Sequence, residues 1–399
     1  MAGQALSLFG TMVVQYAILW HVTLKSQSGT MMMIVTIVGF IPMFFISPFA
    51  GVWADRFNRK YIINIADGSI AFFSLIVAIC LMLGIDSYTI LFVCAFVRSL
   101  GQGVQTPAVG AFIPQIVPQE HLARINGIQT SIQSLIFLTT PMIAAALMTF
   151  APLAALFLLD VVTAAIGISI VIFFVKIPAK AQAEIEAAKQ KNTSYFHDLK
   201  EGLKYIRSHG FILRMIIITA IFLFIFSPAS FLTPLQVVRN FGDEVWRLSA
   251  IEIAFSAGMI IGGLLIGIWA GFKNRVYTMA AATVLCGMFS IGLGLSPIFW
   301  LYLTIITVFG IVAPFYNANA MVLLQTTVES EFMGRVISVF TMVSSSIMPM
   351  GMLLFGPLAD KVSIDIILIV TGVLLSLLFI PMMTSKTLRA AGISHIDKS

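Results

Sequence analysis

Two charged residues stand far from polar company in this chain: Arg98 in "LFVCAFVRSLGQG" and Asp160 in "LFLLDVVTA". An ionised side chain inside an apolar run is expensive, and where it persists it marks a pairing or an ion pathway. A guanidinium and a carboxylate suit proton transfer. A carboxyl isolated in an apolar setting holds its proton, and an approaching cation makes it shed that proton. The same two residues also fit a fixed salt bridge, and nothing in the sequence brings them into contact. Three more charges lie against apolar runs. Asp67 sits near the start of one, Arg214 reads as an interfacial anchor, and Glu252 either attracts a cationic substrate or favours a helix N-terminus.

Neutral polar and aromatic residues within apolar runs are the candidates to line a central cavity. They are Gln15 and Tyr16, Gln129 and Gln133, and the group Phe315, Tyr316, Asn317 and Asn319. Gln129 and Gln133, four apart, share a helix face. Interhelical hydrogen bonding is the competing use of each.

The elements that must position these residues follow from composition. Hydrophobic residues make up 59% of the 399 and charged residues 10%, and the mean hydropathy is +1.01. A soluble domain carries about 25% charged residues, so the outside of this protein faces lipid. A spanning helix needs roughly 20 mostly apolar residues. Cutting at charges, prolines and turn residues predicts spans at 2–24, 31–53, 61–83, 88–112, 124–149 and 152–176. After a polar stretch come 211–236, 248–270, 276–296, 299–323, 335–357 and 364–384. The expected fold is an all-α polytopic membrane protein with twelve transmembrane helices in two six-helix bundles. The domain boundaries are 1–176, a linker at 177–210, 211–384, and a tail at 385–399.

Lysine and arginine crowd the loops that lie inside if the N-terminus is cytoplasmic; the outer loops hold only Lys25, Arg239, Arg247 and Lys361. This bias places both termini in the cytoplasm and accounts for the net charge of +6 without a nucleic-acid partner. The abrupt apolar opening, with no cleavable signal peptide, fits a missing short cytoplasmic leader. In the linker, Thr193 or Ser194 can cap a helix in which Phe196, Leu199, Leu203 and Ile206 recur at helical spacing, an amphipathic helix expected on the inner membrane surface. Cys80, Cys94 and Cys286 each lie in an apolar run, where free cysteine packs as a small hydrophobe. No Cys/His spacing suggests a metal site.

One knot interrupts the first half: "GVWADRFNRK", residues 51–60. It returns as "GIWAGFKNR" at 267–275, and "EHLAR" at 120–124 returns as "EFMGR" at 331–335. The two halves thus read as parallel repeats, a transporter architecture. Gly51, Asp55, Arg56, Arg59 and Lys60 resemble the signature Gly-x-x-x-Asp-Arg-x-x-Arg-Lys of the major facilitator superfamily. That resemblance implies a cytoplasmic latch in which Asp55, Arg56, Arg59 and Lys60 take part, with Asp67 joining its network. In the second copy Gly271 replaces the aspartate, so only the first is expected to form a strong clamp. The small-residue stripe Gly258, Gly262, Gly263 and Gly267 is expected to let helices approach closely.

Nearly end to end, the chain resembles the drug-exporting branch that contains the macrolide-efflux proteins and the enterobactin exporter, through "AGQALSL", "FVRSLGQGVQTPAVGAFIPQIVPQEHL", "EIAFSAGMIIGGLLIG" and "PFYNANAMVLLQ". The resemblance implies a secondary exporter of amphipathic, drug-like compounds. It would be driven by proton antiport through alternating access, with no cofactor beyond the proton-motive force. Its setting would be the lipid bilayer of a bacterial cytoplasmic membrane, and its state a monomer. It places at Arg98 an arginine that aids proton transfer. A departure occurs at Thr140-Pro141 and the alanines after it, where drug antiporters carry a Gly-Pro motif. Export of a siderophore or other metabolite is the alternative on the same fold, and a non-transporting sensor or scaffold is the alternative of another class. No nucleotide-binding loop or catalytic constellation is present, which disfavours an ATP-driven pump and an enzyme.

Overall fold

The computed structural model describes residues 2–117, 119–174, 195–269, 271–329 and 331–393, and no strand occurs among them. In the first half six long helices follow one another: α1 (Ala2–Ser26), α2 (Gly29–Arg56), α3 (Arg59–Met82), α4 (Tyr88–Ile116), α5 (Leu122–Phe150) and α6 (Leu153–Phe174). A short helix, α7 (Tyr195–Ser208), precedes the second half. That half comprises α8 (Gly210–Phe231), α9 (Thr233–Phe241), α10 (Val245–Ile268), α11 (Arg275–Leu295), α12 (Phe299–Thr327), α13 (Met333–Leu358), α14 (Ile364–Leu377), α15 (Phe379–Thr384) and α16 (Lys386–Ile393). Eleven segments are long and apolar enough to cross a membrane among the described residues. The remaining long helix, α4, carries Arg98, Gln102 and Gln105, which lower its hydropathy, and with it the count agrees with twelve.

Two predicted spans are broken. The seventh stops at Leu232 and restarts as α9, with Pro228 in the last turn of α8 and Pro234 at the start of α9. The twelfth breaks at Leu378, just before Pro381. Proline removes an amide donor and suits the first turn of a helix, so each break falls where the sequence permits one.

The chain divides into two compact units, residues 1–25 with 34–195 and residues 26–33 with 196–399. In the first unit α3 packs against α4 and α6. In the second, α10 packs against α12, α11 against α12 and α14, and α8 against α13. The α10–α12 contact depends on glycine. A Cβ at Gly258 would lie 2.1 Å from the Thr307 carbonyl oxygen, and one at Gly262 would lie 2.2 Å from that of Ile311, whereas Gly263 and Gly267 face open space. Half of the stripe is therefore a helix contact.

The repeated knot has a local cause in both copies. Asn58 caps α3 by accepting from the Lys60 amide at 3.0 Å, and Asn274 caps α11 by accepting from Val276 at 3.0 Å. Asparagine is a favoured N-cap because its side chain satisfies an otherwise orphaned amide. The lost aspartate also has a cause. Gly271 adopts φ +101°, and a Cβ there would meet the Thr278 hydroxyl oxygen at 2.4 Å. That hydroxyl instead accepts from the Phe272 amide at 2.8 Å.

The linker helix departs from its expected place. Tyr205 and Ile206 of α7 are buried. Tyr205 stacks on Phe332 at 4.4 Å, its hydroxyl accepts from the Glu329 amide at 3.3 Å, and Glu201 pairs with Arg335 at 2.8 Å. The described apolar surface of α7 therefore packs on the segment between α12 and α13, and only Leu203 is left half-exposed. The proposed caps Thr193 and Ser194, and the side chains of Phe196 and Leu199, lie outside the described residues.

Within the second unit, Asp360 collects the start of α2. Its carboxylate accepts from the Gly29 amide at 2.6 Å, the Thr30 amide at 2.9 Å, the Thr30 hydroxyl at 2.6 Å and the Ser28 hydroxyl at 2.9 Å. Arg239 adds an ion pair at 3.2 Å. Burial works against ionisation here, but the Thr30, Gly29 and Ser28 donors outweigh it and hold the carboxyl at about 2.

Two outcomes follow for purified protein in detergent. Gly262→Val should lower the thermal unfolding midpoint, at a cost of about 1–3 kcal/mol for overpacking, whereas Gly263→Ala should leave it unchanged. Because the folded pKa of Asp360 lies below its usual 3.8, its contribution is complete above that value and is lost as pH falls toward about 2. Asp360→Asn should therefore destabilise the protein near neutral pH, with a smaller difference from wild type as acid titration proceeds.

Candidate functional site

The charges of the first unit converge on one place. Arg98 of α4 and Asp160 of α6 form an ion pair, both side chains essentially inaccessible to solvent. Ser74 of α3 donates to the Asp160 carboxylate at 2.7 Å and accepts from Arg98 Nη1 at 2.6 Å. On α1, the Thr11 carbonyl accepts from Arg98 Nη2 at 2.9 Å, and its hydroxyl donates to Asp160 Oδ1 at 3.4 Å. Four helices thus share a single ion pair; only the Arg98 Nε lacks an acceptor. Gly10 allows the approach of α1, since a Cβ there would lie 2.0 Å from the Thr163 hydroxyl.

Asp67 of α3 is also buried, 2% exposed. It accepts from the Ser7 hydroxyl at 3.0 Å, Gln4 Nε2 at 3.3 Å and Gln105 Nε2 at 2.5 Å. All three partners are neutral, and among the described residues no cation pairs with it. Among the described residues, Asp67, Arg98 and Asp160 are the only charged side chains that are fully buried, and all three belong to the first unit. The buried polar residues of the second unit, among them Thr219, Gln236, Thr283, Ser290, Asn319 and Thr371, are neutral.

A cavity of about 340 Å³ lies beside Asp67 within this unit. Gln4, Gln105, Gln129 and Gln133 provide its polar lining, and Leu8, Phe112, Ile125 and Ile132 are among its apolar walls. Four amides on a greasy surface can orient an amphipathic molecule while its apolar body packs against the walls. Gln129 and Gln133, the sequence candidates for a central cavity, line this cavity of the first unit. Gln15 and Tyr16 are half-buried higher on α1, with Tyr16 against Trp20 at 5.2 Å.

The second-unit candidates are spread apart. Asn319 is buried, donates to the Phe315 carbonyl at 2.8 Å and accepts from Arg275 at 3.4 Å. Phe315 lies 5.8 Å from Trp269. Tyr316 stacks on Phe222 at 4.1 Å and is within 3.1 Å of the Thr219 hydroxyl. Asn317 is exposed and Glu252 is half-buried.

The family model of the Major Facilitator Superfamily matches residues 1–352. The chain belongs to that superfamily. It is a multi-pass membrane transporter and not an enzyme. It is 29% identical over 377 residues to macrolide efflux protein A of Streptococcus pyogenes, covering 94% of this chain and 92% of that protein. It is likewise 29% identical over 329 residues to macrolide efflux protein A of Enterococcus faecalis, covering 82% and 100%. In fold it is similar to the nucleoside transporter NupG, with a TM-score of 0.69 at 14% identity, over 96% of this chain and 100% of that one.

The superfamily signature is anchored inside its own unit. Arg59 donates to the carbonyls of Ala54 and Ala111, each at 2.7 Å, and Lys60 donates to that of Ile172 at 2.8 Å. The side chains of Asp55 and Arg56 lie outside the described residues.

Sequence reasoning missed Gln4, Ser7, Thr11, Ser74 and Gln105. A signal for them exists in the numbering. Gln4 and Thr11, Asp67 and Ser74, and Arg98 and Gln105 are each seven apart, so each pair shares one helix face. The structure turns all three faces inward.

Arg98→Ala leaves the Asp160 carboxylate buried without its cation, and should cost about 3–5 kcal/mol. Replacing both partners, with Arg98→Met and Asp160→Leu, should recover much of that loss. Thermal midpoints of the three proteins in one detergent check the expectation.

Proposed function

We propose that this transporter exports amphipathic, macrolide-type compounds from the bacterial cytoplasm, with proton entry driving substrate exit. The observation that carries the reading is the first-unit cavity. It offers amides and apolar walls in one surface, which suits part of a mostly apolar molecule that carries hydroxyl and ether oxygens. Similarity to macrolide efflux protein A over nearly the whole chain supports the same substrate class.

Alternating access fits a chain built from two repeated halves, and the lysine and arginine distribution supports cytoplasmic termini. In this reading the knot at Asp55, Arg56, Arg59 and Lys60 biases the conformational exchange, and the protein works as a monomer. A membrane potential supplies roughly 2.3 kcal/mol per charge per 100 mV, so a single proton gives useful driving force.

Erythromycin accumulation in inside-out vesicles tests the reading. Accumulation should require an imposed proton gradient and be abolished by a protonophore. Gln129→Ala combined with Gln133→Ala should raise the KM by about 2–10-fold per lost hydrogen bond, with little change in protein level. No erythromycin accumulation by the wild type would remove the macrolide assignment and favour a metabolite exporter on the same fold.

A further inference from the structure

We infer that Asp67 is the group that takes up and releases the coupled proton, while Arg98 and Asp160 form a fixed structural pair. The inference rests on the proton-coupled reading above and deepens it.

Charge counting within the first unit carries the first step. The buried set of Asp67, Arg98 and Asp160 holds two carboxylates and one guanidinium, so its fully ionised form carries one net negative charge. Arg98 is committed to Asp160, and Ser74 and Thr11 add hydrogen bonds to that pair, all but the Arg98 Nε being partnered. Breaking so well satisfied a pair strands a buried charge on each side. Among the described residues, Asp67 has no such partner. One proton on its carboxylate brings the set to neutrality without disturbing any other bond. The proton adds to a carboxylate oxygen and later leaves it; no other covalent change occurs.

The neighbours of Asp67 support the assignment from every side. The face of α1 presents Gln4, Ser7 and Thr11, all neutral. The α4 helix presents Gln105 and, two turns along, Arg98, the latter engaged by Asp160 of α6. On α3 itself, Arg59 and Lys60 stand two turns away and donate to main-chain carbonyls.

Access carries the second step. Gln4 and Gln105 both touch Asp67 and both line the cavity, and the Gln105 amide also donates to Gln4 Oε1 at 3.2 Å. These two amides therefore link the carboxylate to the cavity. A substrate that draws these amides into its own hydrogen bonds removes two donors from the ionised carboxylate. Protonation of Asp67 releases the same two donors. Proton and substrate thereby compete for Gln4 and Gln105, which is the linkage an antiporter requires.

Infrared difference spectroscopy of the purified full chain in lipid nanodiscs, titrated in pH, tests the site without any substrate. A protonated-carboxyl C=O band should appear in the wild type as pH falls, vanish in Asp67→Asn, and persist in the paired variant Arg98→Met, Asp160→Leu, which removes the ion pair and leaves the excess negative charge on Asp67. Asp67→Glu should restore a shifted band, which separates loss of the group from loss of the fold. In proteoliposomes, Asp67→Asn should lose proton-driven erythromycin accumulation yet keep erythromycin exchange down its own gradient. A band that survives Asp67→Asn, or accumulation that does, overturns the inference. So does a band that sodium chloride abolishes at fixed pH while choline chloride does not, since the site would then be a sodium site. A wild type that fails to bind erythromycin removes the substrate assignment alone, and the infrared result still decides Asp67.

Discussion

The buried ion pair between Arg98 and Asp160 is the constraint on which the first unit is organised. Neither charge is tolerable in lipid by itself, and each is satisfied only when α1, α3, α4 and α6 meet around it. Gly10 is needed because α1 must come within contact of Asp160 and Thr163. Ser74 and Thr11 are needed because the pair has more donors and acceptors than a single salt bridge uses. Once those four helices are fixed, the adjoining faces of α1, α3 and α4 bring Gln4, Ser7, Asp67 and Gln105 together one helical layer away.

Among the described residues, the second unit has no charged side chain that is fully buried. Its close packing comes from backbone approach instead: Gly258 and Gly262 against α12, and Gly310 in return against the Phe255 carbonyl. The repeat therefore preserves what local structure requires and varies what chemistry requires. Asn58 and Asn274 cap equivalent helices, while Asp55 and Gly271 differ because the second turn needs a backbone conformation that glycine accepts. Among the described residues, the two fully buried carboxylates belong to the first unit, and the buried polar residues of the second are neutral.

Much of this was legible in the sequence, for reasons that differ by residue. Apolar runs fix helices in lipid because every backbone polar group must be satisfied internally. Arg98, Asp160 and Asp67 stood out because charge in such a run is conspicuous. Gln129 and Gln133 stood out because four-residue spacing keeps two amides on one face. Their partners did not, since serine, threonine and glutamine are ordinary in membrane helices and gain meaning only from a neighbouring helix. Asp67 is expected in the latch from its position near the knot, and its bonds to Gln4 and Ser7 of α1 and Gln105 of α4 could not be read from that position. The packing of α7 on the segment between α12 and α13 was hidden because an amphipathic pattern does not say which apolar surface it meets.

The central claim is that export of a macrolide-type compound is coupled to proton entry. Purified protein in proteoliposomes, with a pH-sensitive dye sealed inside and erythromycin imposed as the only gradient, tests it most directly. Coupled antiport predicts that erythromycin flux in one direction changes the internal pH through proton flux in the other, and that reversing the gradient reverses the sign. Erythromycin movement with no accompanying change in internal pH would contradict it.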